Sequence, residues 1–169
     1  TGLDSDKTLD WVIVKKTNTT GEWQVGHSGS GYGVNFAYHM ELNSGNALSG
    51  SAPYYMGTQN QTNGDRLYLA GNGADNGDNY IAYIWQERPG YSKFGTYDGN
   101  LITDGPFIHL GFRPAWVMIA RLSGDNWIIK DSTRNTFNDV YSNLTSNGNS
   151  AEFGSSGNNQ TFDFVSNGF

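Results

Sequence analysis

The chain has 169 residues, 36% of them hydrophobic, with 10 basic against 16 acidic side chains, no cysteine and a net charge of −6. That length carries one domain with a real core, spanning 1–169, rather than two independent ones. The acidic balance, with no basic stripe, argues against nucleic acid as a partner. The lack of cysteine removes disulfides and thiolate metal sites, and apolar runs such as Trp11–Val14 and Trp116–Ala120 fall far short of the ~20 residues of a membrane-spanning helix.

No basic-then-apolar leader opens the sequence. Gly (23) and the aromatics (5 Trp, 10 Tyr, 9 Phe) are abundant, while charged residues make up 15%. Turn formers alternating with aromatic and β-branched runs describe an all-β protein whose surface is polar through amides and hydroxyls. Such surfaces are common in secreted, cell-surface and virion proteins.

Taken in chain order, the first strong element is WVIV from Trp11, apolar on both faces, which predicts a strand covered on both sides. A polar turn leads to a second strand over Glu22–His27. YGVNFAYHME, Tyr32–Glu41, alternates cleanly, with Tyr32, Val34, Phe36, Tyr38 and Met40 on one face and His39 and Glu41 among the polar face; it reads as half-solvated. Arg66–Ala70 follows, and then YIAYIW, Tyr80–Trp85, again apolar on both faces. Tyr91–Thr96, Phe107–Phe112, WVMI from Trp116, Trp127–Asp131 and Gln160–Val165 complete about ten strands. Asn138–Leu144 could make a helical turn but lacks sustained apolar spacing. Strands separated by loops such as NSGNALSGSAP and GNGADNGDN, with almost no helix, predict a two-layer antiparallel β-sandwich, jelly-roll-like. Trp11, Ile13, Tyr83, Trp85, Trp116 and Met118 are expected in one core of adjacent central strands.

The chain also repeats itself. WVIVKKTNTTGEWQV and WVMIARLSGDNWIIK share a leading Trp, an apolar strand, a Gly-containing turn and a second Trp, Trp23 in one and Trp127 in the other. RLYLAGN (Arg66–Asn72) likewise parallels TFDFVSN (Thr161–Asn167). Two related half-units, 9–85 and 106–169, joined through 86–105, are the expected organisation. LDWVIVKKTNTTGEWQVGH, YIAYIW, the block from Gly90 through GFRPAWVMIARLSGDNWIIKDSTRN, and SAEF with FDFVSNGF together cover most of Leu9–Phe169. On these stretches the sequence resembles an uncharacterised β-rich domain found in tandem in tail and appendage proteins of marine and cyanobacterial phages. The resemblance implies a virion-appendage or extracellular β-module and brings no catalytic residues with it. In that tandem pattern the second SNGF runs on to another YIAY-like strand, which this sequence lacks.

Candidate sites follow from residue chemistry. His27, His39 and His109 lie on separate predicted segments with no nucleophile elbow beside them, which points away from catalysis. Glu87, Glu152 and Asp163 would need a shared cleft to serve as a glycosidase pair. Asp75 and Asp78, with Asn76 and Asn79, offer hard oxygen ligands for calcium in a loop, as do Asp4 and Asp6, though neither set has EF-hand spacing. Tyr54 and Tyr55 could stack on a pyranose while neighbouring amides bind its hydroxyls. Four Asn-x-Ser/Thr sequons, at Asn18, Asn60, Asn143 and Asn159, are about what chance supplies in so Asn- and Thr-rich a chain. Asp131 and Arg134 could pair after a strand.

The leading expectation is a non-enzymatic structural subunit that self-associates into a homopolymer by strand addition. An unpaired edge in the second half-unit would be lined by Phe162, Phe164 and Phe169. A neighbour would fill it, either with its N-terminal segment, anchored by Leu3 and Leu9, or with a further C-terminal strand. A glycan-binding adhesin module is the alternative. No cofactor other than calcium is implied.

Overall fold

In the computed structural model the described residues are 3–4, 7, 9–29, 35–36, 38–49, 55–57, 67–70, 77–102, 104–155 and 161–169, with backbone alone at 35–36, 55–57 and 68–70. They contain strands and no helix: β1 (Trp11–Lys16), β2 (Gln24–His27), β3 (Asn35–Phe36), β4 (Met40–Glu41), β5 (Tyr55–Gly57), β6 (Tyr68–Ala70), β7 (Tyr80–Trp85), β8 (Trp116–Ile119), β9 (Ile128–Asp131) and β10 (Leu144–Thr145). All pairings are antiparallel. The strands form sheets of order β4-β2-β1-β7 and β10-β9-β8, with a small third sheet β3-β5-β6. The all-β antiparallel class expected from composition is the class observed.

The repeat is carried by register. Trp11 lies opposite His27 and Val12 opposite Gly26 in the first hairpin; Trp116 lies opposite Asp131 and Val117 opposite Lys130 in the second. The third strand also matches, Gln24 facing Glu41 and Val25 facing Met40 in one sheet, Ile128 facing Thr145 and Ile129 facing Leu144 in the other. β8, β9 and β10 are therefore the counterparts of β1, β2 and β4. β7, which pairs with β1 from Trp11 opposite Trp85 to Lys16 opposite Tyr80, has no counterpart among the described strands.

Alternation along β1 divides its side chains between two cores. Trp11 and Ile13 point between the sheets, into a cluster with Val25, Met40, Trp127 and Met118. Val12 and Val14 point the other way and are covered by Leu9, Leu3, Leu67, Tyr80 and Ile84. β8 does the same in mirror fashion: Met118 faces inward, while Val117 and Ile119 pack under Val140, Phe162, Phe164 and Phe169. Each sheet thus has an inner face against the other and an outer face roofed by its own chain. Across the middle, the Trp127 indole N–H donates to the Glu41 carbonyl at 3.0 Å and Ser146 Oγ donates to that of Leu42 at 2.9 Å. Gly124, at φ +86°, lies so close to the 45–47 backbone that a Cβ there would sit 2.8 Å from the Gly45 carbonyl oxygen.

Four expectations change. β1 is central, but among the described residues β7 and β8 are edge strands, and Trp85, Tyr83 and Trp116 are 40%, 42% and 55% exposed rather than core. Two apolar faces show what a strand would bury, not whether a neighbour lies beside it. Within the Tyr32–Glu41 segment, His39 is buried together with Met40, because its backbone bridges to Ser49 and turns it from solvent. Tyr91–Thr96 and Phe107–Phe112 are not strands; single bridges, Arg88 to Ser92 and His109 to Gly168, hold them. Among 161–165, only isolated bridges form, Val140 to Phe162 and Val165 to Gly168.

Candidate assembly edges

The two long edges have the same chemistry. Tyr80–Trp85 and Trp116–Ile119 contain no charge, no proline and no glycine, whereas the opposite edges, β4 and β10, are two residues long. Natural sheets blunt their edges with charges, bulges, proline or shortness, and among the described residues the strands of these two edges use none of the first three, while β4 and β10 are short.

The hydrogen-bond alternation shows which groups face out. Thr17 N–H donates to the Asn79 carbonyl at 2.9 Å, which sets Ile81, Tyr83 and Trp85 main-chain groups toward β1 and those of Ala82 and Ile84 away from it. Ser132 N–H donates to the Ala115 carbonyl at 3.0 Å, so Val117 and Ile119 face β9 and the main-chain groups of Trp116 and Met118 face outward. Trp116 and Met118 occupy the register positions of Trp11 and Ile13, the residues through which β1 holds β7.

On the face of β7 that carries Tyr83 and Trp85, three aromatic rings form a row. Trp23 and Tyr83 lie 6.4 Å apart with planes inclined by 22°, and Tyr83 and Trp85 lie 6.4 Å apart, inclined by 23°. The edge of the row is polar: Asn43 accepts from Trp23 N–H at 2.9 Å and donates to Glu22.

The residues singled out from sequence fall as follows. Leu3 and Leu9 are packed on β1 of their own chain. Their segment is stapled to Gln86, whose Oε1 accepts from Asp4 N–H at 2.7 Å and whose Nε2 donates to the Asp4 and Lys7 carbonyls at 2.8 and 3.0 Å. Phe162, Phe164 and Phe169 roof the outer face of β8 instead of lining an open edge, with Phe169 exchanging main-chain bonds with Ile108 at 2.7 and 3.2 Å. Tyr54 and Asp75 lie outside the described residues, as do Asp6 and Asn76. Tyr55 opens β5 opposite Ala70, and its side chain is not described.

Asp78 is engaged by Lys16 Nζ at 2.6 Å and by Tyr80 Oη at 3.4 Å, and the bond from Lys16 holds its carboxyl below the usual carboxylate range. Among the described residues no three His, Asp or Glu side chains converge into a metal-sized group. His27 stands edge-on to Trp11, centroids 5.4 Å apart, and His39 lies beneath the surface beside Glu41; burial lowers the pKa of both, against the pull of Asp10 and Glu41 respectively. His109 sits against Phe107, and Glu87, Glu152 and Asp163 stay apart: Glu87 pairs with Lys93 at 2.6 Å, Glu152 with Arg134 at 3.7 Å, and Asp163 is exposed. The Asp131–Arg134 pair forms, at 2.7 Å.

Sequence reading missed the aromatic row and one buried charge. Lys130, 0% exposed on β9, donates to the Val140 carbonyl at 3.0 Å and lies 5.0 Å from the centre of the Phe162 ring. Burial, with Arg134 nearby, lowers its pKa from 10.5 to about 8, although Asp139 opposes the shift. Its signal was a lysine closing the apolar run WII, at the register position held by Gly26 in the first hairpin.

A family model, Domain of unknown function (DUF7483), matches residues 1–169. No curated protein and no solved structure matches the chain.

Proposed function

The chain belongs over its whole length to the DUF7483 family, and we propose that it is a non-enzymatic structural subunit of a phage-tail-like appendage or other extracellular filament, joined to its neighbours by strand addition. The observation that supports this is the pair of long, uncharged edges, unblunted among the described residues, β7 on the four-stranded sheet and β8 on the sheet β10-β9-β8. Main-chain bonds along such edges supply affinity, and alternate side chains supply register. The jelly-roll arrangement of two half-units belongs to the same reading. Among the described residues no helix is long and apolar enough to cross a membrane. The test is sedimentation velocity with electron microscopy over a dilution series: ordered, concentration-dependent assembly without added ligand is expected, and a monomer at the highest soluble concentration overturns the proposal.

A second reading, a glycan-binding module, draws support from the Trp23–Tyr83–Trp85 row. Partly exposed, near-parallel rings with amide groups at their margin suit the apolar faces of neutral sugar units. Titration with neutral polysaccharides would show binding that Tyr83→Ala and Trp85→Ala abolish without lowering the melting temperature. Binding that survives both substitutions would remove the row as its site.

A further inference from the structure

Building on the strand-addition reading, we infer that the outer edge of β7 in one copy pairs antiparallel with the outer edge of β8 in a second copy, making one continuous sheet β4-β2-β1-β7-β8-β9-β10 across two molecules. The occupant of each edge is thus the other edge of an identical chain.

The internal repeat argues for unlike edges pairing. β8 is the counterpart of β1, and β1 holds β7 through Trp11 and Ile13; the matching groups of β8, at Trp116 and Met118, face outward in the same spacing. Pairing β7 with β7, or β8 with β8, would satisfy one edge and leave the other open. Pairing β7 with β8 satisfies both in every copy.

The register follows from which groups face out. Ile84 falls opposite Trp116 of the second copy and Ala82 opposite its Met118. Both β7 residues present their main-chain groups outward, as Trp116 and Met118 do on β8. The contact is heterologous, so it propagates head to tail and gives a filament unless its rotation closes a ring.

The chain has no cysteine, so introduced thiols report the contact without background. Directly opposed residues of a hydrogen-bonded antiparallel pair have Cα atoms about 5.5 Å apart, within disulfide reach. The experiment is mild oxidation of Ala82→Cys/Met118→Cys and, as a second pair that spares the inner core, Ile84→Cys/Trp116→Cys. Each single variant is also oxidised alone and mixed with its partner. Ladders of disulfide-linked oligomers are expected from either double variant, and heterodimers from mixed singles. A homodimer from Ala82→Cys or Ile84→Cys alone would show like edges pairing and overturn the inference. If the parent assembles yet neither pair cross-links, the edge assignment is wrong while strand addition stands; if the parent is monomeric, both fall.

Discussion

Lys130 offers the sharpest test of how the second core is built. An amine whose pKa is 10.5 in the unfolded chain and about 8 in the folded one holds its proton less tightly after folding. Between those values the unfolded state carries more protons, so stability must rise with pH through that window, with the penalty fully present below about 8. At about 1.4 kcal/mol per pH unit the interval sets a ceiling of about 3.5 kcal/mol, and about 1–3 kcal/mol is expected once local relaxation is allowed for. Lys130→Met keeps the aliphatic stem and removes the charge. It leaves no orphaned acceptor, because the Val140 carbonyl also accepts from Phe162 N–H at 3.2 Å. Urea unfolding followed by tryptophan fluorescence at pH 7, 8, 9 and 10 should show the variant at least as stable as the parent at pH 7, with the alkaline gain present only in the parent. The difference between the two isolates Lys130 from tyrosines and other lysines that titrate in the same range. A parent whose stability does not rise relative to the variant, or a variant about 2 kcal/mol weaker at pH 7, would refute the reasoning and make the buried cation a net stabiliser through its bond and its contact with Phe162.

Three further outcomes follow from the packing. Phe164→Ala, in the roof over β8, should cost about 3–5 kcal/mol in urea unfolding, against about 1 kcal/mol or less for the exposed Trp116→Ala; equal costs would contradict the placement of the second core. Gly124→Ala should lower stability by about 1–3 kcal/mol, since its φ of +86° and the nearby Gly45 carbonyl both oppose a Cβ, and an unchanged thermal midpoint would show that the two loops do not approach as described. Gln86→Leu removes the three bonds that fasten Asp4 and Lys7, so limited proteolysis should cut before Leu9 faster than in the parent; unchanged cutting would mean that Leu3 and Leu9 hold the segment alone.

The sequence made the hairpins legible because each has a Trp at its start and a second Trp just before the return strand, and Tyr80–Trp85 was bounded correctly by its polar flanks. What it concealed was neighbourhood. YIAYIW and WVMI read as central because nothing in a period-two pattern distinguishes a strand with two neighbours from one with a single neighbour and a bare edge. Phe94 and Ile108 made their segments look like strands, yet Phe94 is apolar because it stacks 6.2 Å from Trp11, and Ile108 because it is clasped by Phe169. Leu3, Leu9 and the three phenylalanines were read as assembly residues for the same reason: an apolar side chain announces that it will be covered, and not by which chain. The aromatic row was hidden because Trp23 meets Tyr83 across an intervening strand, about sixty positions apart in sequence.

The two roofs also differ in timing. Leu3 and Leu9, which cover the outer face of the first sheet, precede β1 in the chain, so that face can close as soon as its strands are made. The cover of the second sheet, Phe162, Phe164 and Phe169, comes after β8, β9 and β10, and Ile108 waits for Phe169 before its main-chain bonds can form. At synthesis rates of about 5–20 residues per second, Val117 and Ile119 face solvent for several seconds after they leave the ribosome. During that interval the nascent chain presents an unroofed apolar face on its second sheet. Chaperone dependence and co-translational aggregation should therefore concentrate in the second half of the molecule.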